Sequence, residues 1–294
     1  MSTAPLLDIR DLDVVYPAKR LRGMPFQVLR HVSLDVLPGE TVGLVGESGS
    51  GKTTVGRAVL GLAPVSGGSI TFDGRDISEL SRRARRSLAS EIQVVFQDPY
   101  SSLNPSMTIE QILAEPLTVT GSSTRDARAR VHELLDAVHL PADAATRLPR
   151  EFSGGQRQRI AIARALALDP RLIVCDEPVS ALDLSTQARV LDLFIEIQER
   201  TGVAYLFISH DLSVVRHISH RVAVLYRGEI VELGDGDQVT ARPEHPYTQR
   251  LFMAAPVADP DRQEQRRADR QRLLAAQAEA DEQAGAGLGT EDAA

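Results

Sequence analysis

A glycine-rich stretch, GESGSGKTT at positions 46–54, has the residue types and the spacing that bind a polyphosphate. It fits the pattern G-x-x-x-x-G-K-[S/T], in which backbone N–H groups converge on phosphate oxygens and the lysine reaches the β- and γ-phosphates. Lys52 occupies the lysine position, and the hydroxyl of Thr53 is predicted to coordinate Mg²⁺. The predicted nucleotide-binding residues of this stretch are Gly46, Glu47, Ser48, Gly49, Ser50, Gly51, Lys52, Thr53 and Thr54.

Two carboxylates and a histidine follow apolar runs further along the sequence. Asp176 and Glu177 come directly after LIVC. If that strand neighbours the strand before the phosphate loop, Asp176 can bind Mg²⁺, and Glu177 can polarise a water molecule as general base. The alternative is that both carboxylates cap the turn at Pro178. His210 follows AYLFIS and is a candidate γ-phosphate contact, because ligands of α/β sheets bind at the carboxyl ends of strands.

A second candidate anion site is the segment SGGQ at 153–156, which comes directly before a long helical pattern. Ser153, Gly154 and Gly155 would place the first N–H groups of that helix toward an anion, and the helix dipole favours negative charge at this end. The sequence therefore predicts two anion-binding segments, although the phosphate loop by itself is sufficient to hold one nucleotide.

The composition restricts the class of protein. The 294 residues are 43% hydrophobic and 25% charged, with a formal net charge of −7, which argues against a nucleic-acid partner. The basic run RRARR at 82–86 is predicted to be a solvated helix face. Cys175 is the only cysteine, so this sequence by itself cannot hold a disulfide or an iron–sulfur cluster. Neither a signal peptide nor a membrane span of about 18 apolar residues is predicted.

Strands and helices alternate along most of the sequence, which predicts an α/β fold with a mainly parallel sheet covered on both faces. Alternation of apolar and polar residues at 6–16 and 28–37 instead predicts antiparallel strands with one wet face. The other predicted elements are strands at 41–46, 69–77, 91–97, 171–176, 203–209 and about 222–233, and helices from 53 onward and at 157–168, 185–200 and 211–219.

The region between the predicted strand at 91–97 and the SGGQ segment has a helical pattern. Its apolar stripe consists of Val131, Leu134, Leu135 and Val138. At the other end of the sequence, residues 257–294 are polar on nearly every face. They are predicted to form a solvated helix followed by a disordered end.

Taken in order, the phosphate loop, Gln97, SGGQ, LIVCDE, SALD at 180–183 and the Ser-His pair at 209–210 resemble the ATP-binding subunit of ABC transporters. The resemblance extends over about residues 6–256. It implies a P-loop NTPase fold with a mainly parallel sheet, an antiparallel β subdomain and an inserted helical subdomain at about 98–152. It also implies a nucleotide-binding domain at 1–256 that ends in a family extension at about 234–256, with the tail at 257–294 outside it.

The resemblance accounts for the two anion-binding segments. In this family two nucleotide-binding domains meet head to tail, and each SGGQ closes on the ATP held by the phosphate loop of the other subunit. Ser153, Gly154, Gly155 and Gln156 would therefore contact a γ-phosphate in trans, with the helix N-terminus directed at it.

Roles of single residues are implied in the same way. Tyr16 matches the aromatic residue that stacks on adenine, the alternative being an ordinary strand tyrosine. Gln97 matches a glutamine that contacts Mg²⁺ and senses the membrane subunits, Asp183 matches the loop that communicates across the dimer, and His210 matches the switch histidine. The implied cofactors are ATP and Mg²⁺. The implied catalytic residues are Glu177, His210 and Gln97, and the implied metal ligands are Thr53, Gln97 and Asp176.

Two further stretches, QDPYSSLNPSMTI at 97–109 and EHPYTQRLFMAAP at 244–256, resemble the peptide/nickel group of importer ATPases. This resemblance implies a second ATPase subunit, identical or paralogous, two membrane permease subunits and an extracytoplasmic solute-binding protein. It places the protein at the cytoplasmic face of the membrane. Short peptides are the favoured solute, while nickel chelates, glutathione-like compounds and sugars are alternatives.

Two other classes of ABC protein compete with an importer ATPase. One is a soluble ATPase that acts on nucleic acid or ribosomes. The presence of one cassette, and the short spacing between the phosphate loop and SGGQ, weigh against it. The other is a regulatory module that binds nucleotide without hydrolysing it, and the presence of Glu177 and His210 weighs against that class.

Overall fold

The computed structural model of the protein describes residues 4–17, 24–98 and 102–254. The chain divides between Arg242 and Pro243 into two compact units. In the second unit the described secondary structure is one helix, Pro246–Ala254. The tail predicted at 257–294 lies outside the described residues.

The described strands form two sheets. In the antiparallel sheet the order is β2-β1-β4-β5, and in the larger sheet it is β10-β9-β3-β8-β7-β6. Every neighbouring pair from β9 to β6 is parallel, and β10 runs antiparallel to β9. The strands are β1 (Leu7–Tyr16), β2 (Phe26–Val36), β3 (Thr41–Val45), β4 (Gly67–Phe72), β5 (Arg75–Asp76), β6 (Ile92–Val95), β7 (Leu172–Asp176), β8 (Ala204–Ile208), β9 (Arg221–Tyr226) and β10 (Glu229–Asp235).

Helices fill most of the connections between these strands. The described helices are α1 (Lys52–Val59), α2 (Arg82–Leu88), α3 (Ile109–Val119), α4 (Thr124–Ala137), α5 (Gly154–Leu166), α6 (Leu184–Thr201), α7 (Leu212–Ile218), α8 (Gly236–Ala241) and α9 (Pro246–Ala254). The mixed architecture, with a mainly parallel sheet and a separate antiparallel sheet, confirms the fold class expected from the sequence.

Strand β7 separates two hydrophobic cores. Because successive side chains of a strand point to opposite faces, Leu172 and Val174 pack into one cluster while Ile173 and Cys175 pack into the other. The first cluster joins the sheet to α1 and the antiparallel strands, and the second joins it to α3–α6. Burial raises the pKa of the Cys175 thiol far above its ordinary value, so this thiol is an inert part of the core.

The helices between β6 and α5 begin at residues suited to helix N-termini. Thr108 Oγ1 accepts from Gln111 N at 3.3 Å, and Gln111 Oε1 accepts from Thr108 N at 2.8 Å, which is a capping box at the start of α3. Ser123 Oγ accepts from Asp126 N at 3.2 Å at the start of α4. The predicted apolar stripe is confirmed, since the most exposed of its members is only 1% exposed: Val131, Leu134, Leu135 and Val138.

Three predictions about local structure were wrong in detail. The strand predicted at 91–97 ends at Val95, and the one predicted at 69–77 is interrupted by a turn. The basic run in α2 is not wholly solvated, because the Arg85 guanidinium donates to the carbonyl oxygens of Val59 at 2.7 Å and Ile77 at 2.6 Å. Arg85 thereby joins α2 to the end of α1, and partial burial lowers its pKa.

Candidate active site

The phosphate loop connects β3 to α1 and depends on glycine at two positions. Gly46 has φ 153°, and a Cβ there would lie 2.2 Å from the carbonyl oxygen of Leu225. Gly51 has φ 111°, and its Cβ would lie 2.7 Å from Leu29 Cδ2. L-residues rarely adopt these backbone angles, and a side chain would collide with the main chain of β9 at Gly46 and with the Leu29 side chain of β2 at Gly51. The glycine spacing read from the sequence therefore has a steric basis.

Lys52 is the first residue of α1, at the end of this loop, and is 5% exposed. Its Nζ donates to the carbonyl oxygens of Gly46 at 2.7 Å and Glu47 at 2.8 Å. Burial lowers the pKa of Lys52, while the charges of Glu177, Asp176 and Glu47 act in the opposite direction. An ammonium group held by the loop's own carbonyls is positioned for the phosphates of a nucleotide bound in the loop.

The hairpin of β9 and β10, which lies beside β3 in the sheet, packs against the phosphate loop. Arg227 and Gly228 form the turn between β9 and β10 and both have positive φ, 49° and 86°. Gly228 N donates to the Ser50 carbonyl at 3.1 Å, and the Gly228 carbonyl accepts from Arg30 N at 2.8 Å. The sequence interpretation missed this contact, because Arg-Gly is not among the residue pairs typical of a two-residue hairpin turn.

Replacing Gly228 with alanine is expected to lower the free energy of unfolding by about 3 kcal/mol. A Cβ there would lie 2.3 Å from the Val28 carbonyl, so the turn would have to move away from the phosphate loop. Urea unfolding and nucleotide titration would both register the change. Gly74→Ala is the matched control, because its φ is 73° and an added Cβ would meet nothing within 4 Å. Equal effects of the two variants would contradict the role of the hairpin.

Asp176 reaches the phosphate loop although its strand does not neighbour β3. The sequence argument made this contact conditional on adjacent strands, but β8 lies between the two. Thr53 Oγ1 nevertheless donates to Asp176 Oδ1 at 3.0 Å, across the carboxyl ends of the strands. Burial raises the pKa of Asp176, and the hydrogen bond from Thr53 lowers it in part.

Glu177 has an unusual backbone and a histidine partner. Its φ of 51° is left-handed, which costs a non-glycine residue about 1–3 kcal/mol. Glu177 N donates to the Ile208 carbonyl at 2.9 Å, which holds the strained residue in place. The side chain is 18% exposed, and Glu177 Oε2 lies 3.0 Å from His210 Nδ1. Backbone strain at a partly buried carboxylate is a feature of functional sites.

The alternative role of the two carboxylates as caps for the turn at Pro178 does not match these contacts. In that turn Ser180 N donates to the main-chain carbonyl of Glu177, at 3.3 Å. The side chains of Asp176 and Glu177 contact Thr53 and His210 instead.

Thr53 and Glu177 border a cleft of about 200 Å³ over the phosphate loop. The lining fits a polyphosphate, because it combines the Lys52 ammonium with glycine backbone at Gly49 and Gly51. Val28, which the sequence interpretation did not select, contributes to the cleft from β2. The lining residues are Val28, Ser48, Gly49, Gly51, Lys52, Thr53, Thr54 and Glu177.

Tyr16 and Gln97 occupy the ends of their strands. Tyr16 is the last residue of β1, pairs with Phe26 across the sheet, and packs against the same core cluster as Val28. Gln97 is exposed and lies two residues beyond β6. Strands β6 and β7 are parallel neighbours, so both end at the same edge of the sheet. Gln97 therefore lies at the edge where Asp176 ends β7.

The SGGQ segment begins α5 and forms a capping box. Ser153 Oγ accepts from Gln156 N at 3.3 Å, and Gln156 Oε1 accepts from Ser153 N at 2.9 Å. Gly154 and Gly155 are in the first turn, where the helix leaves N–H groups without intrahelical acceptors. In the described part of the chain, none of the residues that line the cleft comes from 153–156. The SGGQ segment is therefore not part of the cleft over the phosphate loop.

Asp183 caps the next helix. Its Oδ1 accepts from Thr186 N at 3.0 Å and from the Ser185 hydroxyl at 2.7 Å, at the start of α6. These hydrogen bonds hold the pKa of Asp183 well below its ordinary value, and the one with Thr186 has the largest effect. The carboxylate is therefore ionised at neutral pH and engaged in its own helix.

Comparison with known proteins identifies the family. The sequence profile of the ABC transporter family matches residues 29–180. The chain belongs to this family. It is 50% identical over 267 residues to a Brucella ovis protein named for peptide import and ATP binding, covering 90% of this chain and 83% of that protein. It is also 50% identical over 270 residues to the glutathione import ATP-binding protein of Escherichia coli, covering 90% of this chain and 43% of that protein.

Solved structures agree with the family. The cbiO1 protein of Clostridium perfringens, part of an ABC transporter complex, superimposes with a TM-score of 0.73 at 26% identity, over 84% of this chain and 95% of that one. An ATP-binding cassette solved as a dimer with ADP and Pi has a TM-score of 0.68 at 28% identity, over 78% of this chain and 98% of that one. The protein is thus an ABC-type ATPase that binds ATP. Within the described residues, no helix combines the length and apolar character needed to cross a membrane.

Proposed function

We propose that this ABC ATPase works as a head-to-tail pair and drives the import of a solute through separate permease subunits. The observation that carries the proposal is the separation of the phosphate-loop cleft from the SGGQ segment. Each cleft would be completed by the first turn of α5 from a second subunit, whose N–H groups and dipole favour the γ-phosphate. The dimeric state of a similar cassette bound to ADP and Pi supports this arrangement.

In this proposal the side chains of the cleft divide the work of hydrolysis. Lys52 and the loop N–H groups hold the β- and γ-phosphates. Glu177 orients a water molecule and accepts its proton at the carboxylate, while His210, 3.0 Å away, fixes the carboxylate and contacts the γ-phosphate. Tyr16 stacks on adenine at the end of β1. The left-handed backbone of Glu177 keeps the carboxylate at the rim of the cleft.

The residues around Thr53 fit Mg²⁺, which prefers oxygen ligands. Thr53 Oγ1 and Asp176 Oδ1 lie 3.0 Å apart at the edge of the cleft, and Gln97 follows the neighbouring strand. These three residues would hold the ion, which supplies charge neutralisation at the phosphates when bound. Asp176 is partly buried, and burial disfavours the charged form of a carboxylate. A cation bound beside Asp176 would stabilise the charged form.

If Thr53 and Asp176 bind Mg²⁺, their replacement should reduce hydrolysis much more than nucleotide binding. Thr53→Val and Asp176→Asn are each expected to lower Mg²⁺-dependent hydrolysis about 10²-fold while leaving metal-free ADP binding within about twofold, since Lys52 and the backbone amides still hold the phosphates. Turnover and ADP titration in EDTA measure the two quantities. Thr124→Val, the same change at an exposed position of α4, is the matched control. If metal-free ADP binding fell as much as Mg²⁺-dependent hydrolysis, the roles of Thr53 and Asp176 would be structural.

The proposed partners are a second ATPase subunit, two membrane permease subunits and an extracytoplasmic solute-binding protein, with this protein at the cytoplasmic face of the membrane.

The helical insert at 98–152 is proposed to contact the permease. It lies between Gln97 and the SGGQ segment, so its orientation would change with the nucleotide state. Cross-links from cysteines placed in α3 and α4 should reach a cytoplasmic permease loop. Cross-linking only through 257–294 would contradict this assignment.

Short peptides are the proposed solute, a proposal supported by the Brucella relative named for peptide import and by the stretches at 97–109 and 244–256. Deletion of the gene should abolish uptake of labelled di- to pentapeptides, and the wild-type gene, but not a Glu177→Gln copy, should restore it. Labelled glutathione and radioactive nickel are measured in the same cells. Lost uptake of either of these with unchanged peptide uptake would contradict the peptide assignment and leave the ATPase mechanism intact.

A further inference from the structure

Phe26 is a large apolar side chain at the start of β2, and it is 69% exposed. It pairs directly with Tyr16, the last residue of β1. Residues that pair directly across antiparallel strands project to the same face of the sheet, with Cβ atoms about 5 Å apart. The two aromatic residues therefore lie next to each other on one face, at the end of both strands.

That face is the one that packs on the core. Side chains alternate along a strand, and Leu12, Val14 and Tyr16 occupy alternate positions of β1. Leu12 and Val14 are fully buried, and Tyr16 packs against the same core cluster. Phe26 thus lies on the core side of the sheet at a point that the core does not cover.

A β-bulge in β2 gives Phe26 this orientation. Val28 is an extra residue, because the residues on either side of it pair with adjacent residues of β1. Simple alternation from the fully buried Leu29 would turn Phe26 away from the core. The bulge turns it instead to the side of Tyr16. Bulges often occur beside active sites, where they redirect a side chain.

Strand β2 also connects the aromatic pair to the phosphate-loop cleft. Val28 lines that cleft and lies two residues after Phe26, which at about 3.3 Å per residue is a distance of about 7 Å. The strand approaches the loop at this point, since a Cβ on Gly51 would lie 3.4 Å from the Val28 carbonyl oxygen. A nucleotide whose phosphates occupy the loop can therefore extend its base along β2 toward the two aromatic residues.

We infer that Phe26 is a second aromatic contact for the purine base of ATP, beside Tyr16. The inference rests on the proposed placement of adenine on Tyr16. Aromatic side chains stack on any base, and a phenylalanine has no hydrogen-bonding group that could distinguish one purine from another. Phe26 should therefore strengthen the binding of ATP and GTP alike. Because it would contact the base and not the reacting phosphate, its contribution should appear in KM rather than in kcat.

Phe26→Ala in the full chain is expected to raise KM about tenfold for both ATP and GTP, and to change kcat less than twofold. Inorganic tripolyphosphate, which carries phosphates without a base, should inhibit the wild type and the variant equally. Leu62→Ala is the matched control, because it removes another apolar side chain that is 64% exposed. A KM for ATP within about twofold of wild type, or a parallel loss of ATP and tripolyphosphate binding, overturns the inference.

Phe26→Trp gives a direct signal of contact with the base, because the sequence contains no tryptophan. The larger ring should keep ATP affinity at or above that of the wild type, and ATP, but not tripolyphosphate, should quench its emission. Leu62→Trp should respond to neither ligand. Emission of Phe26→Trp that ATP leaves unchanged overturns the inference. The proposed placement of adenine fails separately, if Tyr16→Ala binds ATP as tightly as the wild type does.

Discussion

Glu177→Gln is expected to lower ATP turnover by at least about 10²-fold while ATP still binds. The amide keeps the shape of the carboxylate but cannot accept a proton from the attacking water at neutral pH. The phosphate loop and Lys52 are unchanged, so the nucleotide remains held. Because two subunits can still associate on ATP but cannot hydrolyse it, the variant should accumulate as an ATP-bound dimer.

Steady-state turnover and gel filtration with ATP and Mg²⁺ measure the two expectations together. Glu199→Gln, the same change at an exposed position of α6, controls for the loss of one negative charge. Near-normal turnover of Glu177→Gln would remove Glu177 from the role of general base. If turnover were lost and no ATP-bound dimer formed, Glu177 would instead be needed for the association of the two subunits.

Lys52→Ala is expected to weaken ATP binding by about 10²-fold, and to abolish turnover at ordinary ATP concentrations, because it removes a charge-assisted contact from a buried position. The side chain is 5% exposed and donates to two carbonyls of the loop, so its loss also removes a donor from each of them. Nucleotide affinity is measured by titration with a fluorescent ATP analogue.

Two variants define what this contact requires. Lys52→Arg should not restore binding, because a planar guanidinium is too large for the position that the ammonium fills. Lys19→Ala is the same substitution at the only other lysine of the sequence and should bind ATP normally. An Arg variant with wild-type affinity would mean that charge alone, rather than the fit of the ammonium to the loop, holds the phosphates.

Much of the architecture could be predicted from the sequence because its signals are local. The apolar stripe at 131–138 follows helical spacing, and the phosphate loop is one contiguous motif. Strand ends were less well predicted. The run VVFQ is continuously apolar up to Phe96, but the pairing of β6 with β7 ends at Val95, and pairing cannot be read from one strand alone.

The parts of the site that could not be predicted depend on contacts between distant segments. The approach of Gly228 to the phosphate loop, the contribution of Val28 to the cleft and the reach of Asp176 across β8 all join elements far apart in sequence. The same holds for the contact of Gly155 with Thr186, since SGGQ by itself indicates only a helix N-terminus. Such contacts follow from the order of strands in the sheet, which periodicity does not specify.

The central claim is that one ATP site is built from two chains, and complementation of two inactive variants tests it directly. Lys52→Ala damages the phosphate loop, and Ser153→Arg places a bulky charge at the start of α5. In a mixed dimer both lesions fall in one composite site, and the other site combines an intact phosphate loop with an intact SGGQ segment.

Each variant alone should be inactive, and an equal mixture should recover up to about a quarter of wild-type turnover, since half of the dimers are mixed and each has one intact site. The recovered activity should rise with protein concentration as the mixed dimers form. A mixture whose activity equals the sum of the separate variants at every concentration would contradict the composite site.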